Sequence, residues 1–334
     1  MTRYVVIGAG ALGGLLAAEL HASGREVVLI ARGEHGRLIG ERGLRVARPQ
    51  GVDVVRLPVA AGPHEVDLRT SDVLVLAVKT QDVEDVLQTW SWRPVAGGGA
   101  AADLPVITLQ NGLATEDAVL RRFAHVYAGT AWISASHLTA GEVVSPGWPA
   151  VGILWLGRHH GGDDHQLDQI AADLRASRFT TTVVPDIARW KAHKLRHNVT
   201  NGLDLFGGDA DQQAAVGRAL MAEVDAVYAA AGIDPVDPVA ELDELPDTRV
   251  GTVPGHEQHQ RSTWQSFARG AGSEIDYLNG EIVLLGRRLG VPTPVNATVQ
   301  RLLGLRATLV PSSPAATAPL DLTPVLDAAA AVVA

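Results

Sequence analysis

The apolar positions along this chain fall into two regimes. Through the first half, short runs rich in β-branched residues, at 4–7, 26–30, 72–78 and 105–109, alternate with longer stretches of helical period such as 15–22. A short run that is apolar on both faces reads as a buried parallel strand, and strand–helix alternation reads as a parallel sheet flanked by helices. Residues 43–60 alternate apolar and polar positions, which predicts a hairpin. Residues 127–157 are β-prone with turns at 139–141 and 145–147, which predicts hairpin-like strands covering an edge of the sheet. From residue 186 the period becomes helical and stays so, broken near Gly207-Gly208, at Gly232 and through the Pro-rich 235–254. The expected architecture is therefore α/β: a dinucleotide-binding domain of Rossmann type over 1–184, then a mostly α-helical domain over 185–334. A tail at 311–324, rich in Ala, Pro, Ser and Thr, is expected to be loosely held.

The first strand runs straight into Gly8-Ala9-Gly10-Ala11-Leu12-Gly13. Between a strand and a helix this spacing is the dinucleotide fingerprint. The first glycine makes the tight turn, the second lets a pyrophosphate approach the backbone, and the third lets the helix pack on the strand. At the end of the second strand stands Arg32, where an NAD enzyme would place an acid for the ribose 2′-hydroxyl. A guanidinium there suits a 2′-phosphate, so the expected cofactor is NADPH. Lys79 and Asn111 follow the next two buried runs, and in a doubly wound sheet such strand ends line one crevice. Gly8, Arg32, Lys79 and Asn111 are thereby expected to converge on the cofactor or its substrate.

Lys occurs only at 79, 191 and 194, every other strong base being Arg. A lysine amine can be driven to release its proton by burial, whereas a guanidinium stays charged. On a helix, Lys191, Asn198 and Asn201 lie within roughly 60° of Lys194, forming one polar stripe. Taken alone, that stripe reads first as an ordinary solvated face. Glu274, in Ser273-Glu274-Ile275-Asp276, taken alone reads first as an acid at a helix start, with Ser273 as N-cap and Asp276 completing a capping box.

Length and composition narrow the rest. A chain of 334 residues predicts two domains, each with its own core. With no Cys there is no thiolate nucleophile or disulfide, which fits a reducing cytoplasm. With a net charge of −9 and no concentrated basic face, no nucleic-acid partner is expected. Arg3 and the apolar residues after it mimic a signal peptide, but the glycine spacing explains that run better; no other run reaches the length of a membrane span. The His-rich segment 159–165 and the pair His256 and His259 match no ligand spacing, so no metal is expected.

Taken together these residues resemble the ketopantoate reductases, the 2-dehydropantoate 2-reductases, along nearly the whole chain. The resemblance is carried by Gly-Ala-Gly-Ala-Leu-Gly at 8–13, Val78-Lys79-Thr80, Gln110-Asn111-Gly112, Lys194-Leu195-x-x-Asn198, and Glu274 to Gly280 with Val291-Pro292-Thr293-Pro294 beyond it. It implies reduction of a 2-oxo acid by NADPH. Lys194 would be the general acid, Glu274 would orient it and contact the ligand, Asn198 would hold the substrate and Ser262 its carboxylate, with Asn111 reaching nicotinamide or substrate. Three departures concern the substrate. A second Asn falls three rather than four residues after Asn198, as Asn201; Ser266 stands where relatives carry an Asp; and Trp132, Trp148, Trp155 and Trp264 add aromatic bulk. Another 2-oxo acid or ketone, or a protein that senses NADP(H) without turnover, are the competing expectations; a homodimer is compatible with all three.

Overall fold

The computed structural model describes residues 2–162, 164–242, 248–256, 261–270, 272–308 and 316–333. The chain begins with β1 (Arg3–Ile7), α1 (Ala11–Ala22), β2 (Glu26–Ile30), α2 (Gly33–Arg42), β3 (Leu44–Arg48), β4 (Gly51–Val55), β5 (Val59–Ala60), β6 (Leu68–Arg69) and β7 (Asp72–Leu76). It continues through α3 (Val83–Trp90), β8 (Val95–Ala96), β9 (Pro105–Thr108), α4 (Thr115–Leu120), β10 (His125–Trp132), β11 (Glu142–Val144), β12 (Gly147–Trp148), β13 (Gly152–Arg158), α5 (His165–Ala176) and β14 (Phe179–Val183). Helices then dominate: α6 (Ile187–Asn198), α7 (Ala210–Ala231), α8 (Pro238–Glu241), α9 (Ser262–Ala268), α10 (Asn279–Leu289), α11 (Pro294–Ala307) and α12 (Thr323–Val333), with the short β15 (Arg249–Val250) among them. Two compact units form, the first from 1–110, 115–190 and 238–258, the second from 111–114, 191–237 and 259–334.

The first unit is built on an 8-stranded sheet of order β14-β13-β10-β9-β7-β1-β2-β5. The central strands are buried throughout, as their uninterrupted apolar runs require. Register at the amino end is pinned by an ion pair: Arg3 donates two hydrogen bonds to the Asp72 carboxylate, at 2.8 and 2.7 Å, and Arg3 sits opposite Asp72 in the β1–β7 ladder. Tyr4 donates to Asp173 of α5 at 2.8 Å, tying the first strand to that helix. The predicted hairpin is β3 paired antiparallel with β4. The stretch 127–157 departs from expectation. Rather than covering the edge, β10 extends the sheet beside β9, and β13 pairs antiparallel with β10 along its length. Both strands are almost entirely buried: α4 packs on β10, α5 packs on β13, and Trp190 at the start of α6 stacks on Trp155 of β13.

The second unit packs helices around a core that includes Leu195, Val199, Leu220, Val224, Ile282, Val299 and Val325. Its tail is tied down where it is described. The Leu320 carbonyl accepts from Gly207 N–H at 2.8 Å, Arg306 donates to the Ala318 carbonyl at 2.6 Å, and Leu322 and Val325 are buried. Residues 311–315 of that segment, and His259 of the histidine pair, lie outside the described residues. No helix among the described residues is long and apolar enough to cross a membrane.

Candidate active site

The glycine-rich turn sits where β1 ends and α1 begins. Gly8 has φ +110°, and a Cβ there would lie 2.8 Å from the Ala77 backbone. A Cβ on Gly13 would lie 2.0 Å from the Gly8 carbonyl oxygen, so this glycine lets α1 close on the strand. Gly10 is different: a Cβ there would meet nothing within 4 Å. The open side of the turn therefore lies at the second glycine, beside the start of α1, where Ala11 and Leu12 occupy the first helical positions. Free backbone N–H groups and the positive end of the helix dipole face an anion at such a place, so the residues present fit a dinucleotide pyrophosphate.

Neighbouring strand ends in the same unit supply further groups. Arg32, exposed, follows β2 and occupies the N-cap of α2. Lys79, half-buried, starts the single turn after β7. Gln110, past β9, donates to the Leu76 and Val78 carbonyls at 2.8 and 3.0 Å and so locks the β7 end that carries Lys79. Because β2, β1, β7 and β9 are consecutive in the sheet, Arg32, Gly8, Lys79 and Gln110 stand in a row along one edge.

The remaining candidates belong to the second unit. Helix α6 stops at Asn198, before the Asn201 that the sequence placed on the same helix, and Asn201 opens the 3₁₀ turn Asn201–Leu205. Asn201 still meets its expected neighbour, donating from Nδ2 to Asn198 Oδ1 at 3.2 Å. Asn198 is 9% exposed, and its own Nδ2 is a buried donor with no hydrogen-bond partner among the described residues. An unmet buried N–H is costly, on the order of 1–3 kcal/mol, and a ligand oxygen would satisfy it. Lys191 is buried and Lys194 half-buried on the same helix. Burial draws the Lys194 ammonium from its ordinary value of 10.5 down to about 7; the charge of Lys191 acts in the same direction, and the Glu274 carboxylate opposes both. With Lys191 and Asn198 buried and Lys194 and Asn201 half-buried, the stripe is not a solvated face.

Glu274 does not begin a capped α-helix as the sequence suggested. Ile275–Tyr277 form a 3₁₀ turn, Ser273 Oγ accepts from Ile275 N–H at 3.2 Å, and Asp276 accepts from Gln300 at 2.8 Å instead of closing a capping box. The turn is packed by Asn111-Gly112: a Cβ on Gly112, φ +80°, would lie 2.5 Å from the Tyr277 carbonyl oxygen. This brings Asn111 to the segment that carries Glu274. Ser262, exposed, is the first residue of α9, whose Ser266 hydroxyl turns back to the Ser262 carbonyl at 3.0 Å. The preceding Arg261 anchors the helix by donating to the Thr200 carbonyl at 2.7 Å.

A supporting network escaped the sequence reading. Asn279 donates to the Val199 carbonyl at 2.9 Å and to Asn296 Oδ1 at 3.0 Å, and Asn296 donates to Glu223 at 2.7 Å. The Glu223 carboxylate also accepts the backbone N–H groups of Val295 and Asn296, at 2.8 and 2.9 Å, capping α11 from α7. Burial raises the Glu223 pKa, and the hydrogen bonds from Asn296 and Val295 pull it back. The network holds the end of α6, immediately after Asn198, against α10 and α11. Its only local signal was Asn279 inside the quoted Glu274 to Gly280 motif.

Comparison with known proteins agrees with both units. The family model described as ketopantoate reductase PanE/ApbA matches residues 4–161, and that of its C-terminal part matches 197–307. The 2-dehydropantoate 2-reductase of Halobacterium salinarum is 29% identical over 316 residues, covering 91% of this chain and 98% of its own. Among solved structures, a PanE/ApbA family ketopantoate reductase from Ralstonia eutropha superposes with TM-score 0.72 at 26% identity, over 91% of this chain and 98% of that one. A D-mandelate dehydrogenase solved with NADH and anilino(oxo)acetate shares the fold, with TM-score 0.73 at 23% identity over 92% and 98% of the two chains.

Proposed function

The chain belongs to the ketopantoate reductase family, and from that premise we propose that it reduces 2-dehydropantoate to pantoate with NADPH, Lys194 being the proton donor. The observation that carries the reading is the Lys194 amine, desolvated to about pKa 7 beside Glu274. NADPH, when bound, supplies the hydride to the carbonyl carbon. The chain's own residues do the rest. Gly8, Gly10, Ala11, Leu12 and Gly13 cradle the pyrophosphate, Arg32 reads the 2′-phosphate, and Lys79 and Asn111 contact cofactor or substrate. Negative charge grows on the carbonyl oxygen as its carbon is reduced, so a positioned ammonium stabilises the transition state more than the ground state. Lys194 then transfers its proton to that oxygen. Glu274, opposing the loss of the ammonium charge, keeps the donor form populated. Asn198 and Asn201 hold the substrate through the unmet Nδ2, and Ser262 takes its carboxylate. The protein would work in the cytoplasm, and a homodimer would be revealed by light scattering.

One observation favours a second reading, a bulkier 2-oxo acid. Trp132 stands at the carboxyl end of β10, the next strand after β9 in the sheet, and is 43% exposed. It meets Trp155 edge-on at 6.5 Å between ring centroids, and Trp155 stacks on Trp190 at 4.7 Å. Four strand spacings of about 4.8 Å separate β2, which leads to Arg32, from β10, so an NADPH with its 2′-phosphate held at Arg32 would extend its nicotinamide end toward Trp132. A rigid aromatic edge there suits an aryl substituent. One assay separates the readings: loss of NADPH absorbance at 340 nm with 2-dehydropantoate and with phenylglyoxylate. The first reading expects the larger kcat/KM for 2-dehydropantoate. The second expects phenylglyoxylate to win, and Trp132→Leu to reverse the order. No turnover with any 2-oxo acid would leave only a sensor of NADP(H).

A further inference from the structure

His35, the third residue of α2, makes two hydrogen bonds, one through each ring nitrogen. Gly141 N–H donates to His35 Nδ1 at 2.8 Å, and His35 Nε2 lies 2.8 Å from the Ala9 carbonyl oxygen. With Nδ1 accepting, the ring is neutral and carries its single proton on Nε2, which therefore donates to Ala9. Ala9 is the residue between the first two glycines of the fingerprint turn.

The consequence follows from peptide planarity. In a trans peptide the carbonyl and the following N–H point to opposite sides. Holding the Ala9 carbonyl toward α2 makes the Gly10 N–H point the other way. Gly10 is the N-cap of α1, so helix geometry offers its N–H no carbonyl, and its α-carbon faces the open side of the turn where a Cβ would meet nothing within 4 Å. From this we infer that His35 is a positioning residue for the cofactor: it aims the Gly10 N–H at the pyrophosphate. The same side chain joins that turn to the helix whose N-cap is Arg32, so the pyrophosphate and 2′-phosphate contacts are set by one imidazole. His137 braces it from the other side. Its ring centroid is 4.1 Å from that of His35, and its Nδ1 is 2.9 Å from the Glu142 carbonyl oxygen. All of these groups lie in the first unit.

The inference rests on NADPH binding at the glycine-rich turn, and its test keeps the two apart. NADPH affinity is measured by quenching of tryptophan fluorescence in wild type, His35→Leu and His35→Gln, together with kcat and the KM for NADPH. A net hydrogen bond contributes about 0.5–1.5 kcal/mol, so His35→Leu should weaken NADPH about three- to tenfold while kcat at saturating NADPH holds. Gln carries an acceptor and a donor on one amide and should restore most of the affinity. Equal NADPH affinity in wild type and His35→Leu would overturn the inference, as would His35→Gln being as weak as His35→Leu, or a loss of kcat and thermal stability with affinity intact. Failure of the wild type itself to bind NADPH would sink the cofactor reading instead.

Discussion

Replacing Lys194 with Ala should lower kcat for 2-oxo acid reduction by about 10²–10⁴-fold, the usual contribution of a positioned proton donor, and leave NADPH affinity nearly unchanged. Lys194 lies on α6 in the second unit, whereas the glycine-rich turn and Arg32, proposed to hold the phosphates of NADPH, lie in the first, so the substitution leaves those groups in place. Lys191 cannot take over the role. It is one turn earlier and buried, and its charge acts on Lys194 as a neighbour that favours release of the proton. Removing the amine also removes that repulsion, so Lys194→Ala should not destabilise the fold; a thermal melt alongside the kinetics checks this. The KM for the 2-oxo acid should change little, because the donor acts mainly on charge that develops in the transition state.

The second large effect is a contrast between two glycines of one turn. Gly13→Ala should destabilise the protein by about 1–3 kcal/mol or more, because the new methyl would lie 2.0 Å from the Gly8 carbonyl oxygen and α1 must move off the strand. Gly10→Ala meets no protein atom within 4 Å, so the fold should survive. Its methyl would instead occupy the space proposed for the pyrophosphate, at the cost of charge-assisted hydrogen bonds worth about 1.5–3 kcal/mol, or roughly ten- to 150-fold in NADPH affinity. Thermal denaturation and NADPH titration of both variants separate the two failures. Loss of stability in Gly10→Ala with affinity intact would mean that the open side of the turn is not the anion site.

Much of the first unit was legible because local pattern and tertiary role coincide there. The runs at β1, β2, β7 and β9 are apolar on both faces since helices cover both, and the glycine spacing is dictated by contacts of the turn with itself and with Ala77. The place of β10 and β13 within the sheet was not legible. Whether a β-prone stretch covers an edge or extends it depends on which partner supplies its apolar cover, here α4 for β10, and α5 with Trp190 from later in the chain for β13. The pairing of β12 with β15 is a two-residue contact between distant segments, announced by no periodicity. In the second unit the polar stripe of α6 was visible, but its desolvation was not, because burial of Lys191 and Lys194 depends on packing far from them in sequence. Glu223, Asn279 and Asn296 were missed for the same reason: a buried carboxylate that caps another helix looks locally like any acid on a helix. Ser273 was misread because a serine before an acid predicts the same local hydrogen bond whether a 3₁₀ turn or an α-helix follows.

The pH dependence of kcat/KM for the 2-oxo acid, measured at saturating NADPH in wild type and Lys194→Ala, tests the proton-donor role most directly. The donor must be protonated to act, and burial has lowered its pKa from 10.5 to about 7. The wild-type value should therefore be level at acid pH and fall about tenfold per unit above pH 7, while the residual rate of Lys194→Ala lacks that limb. A wild-type profile that stays flat to about pH 10, or an identical limb in both proteins, would contradict it.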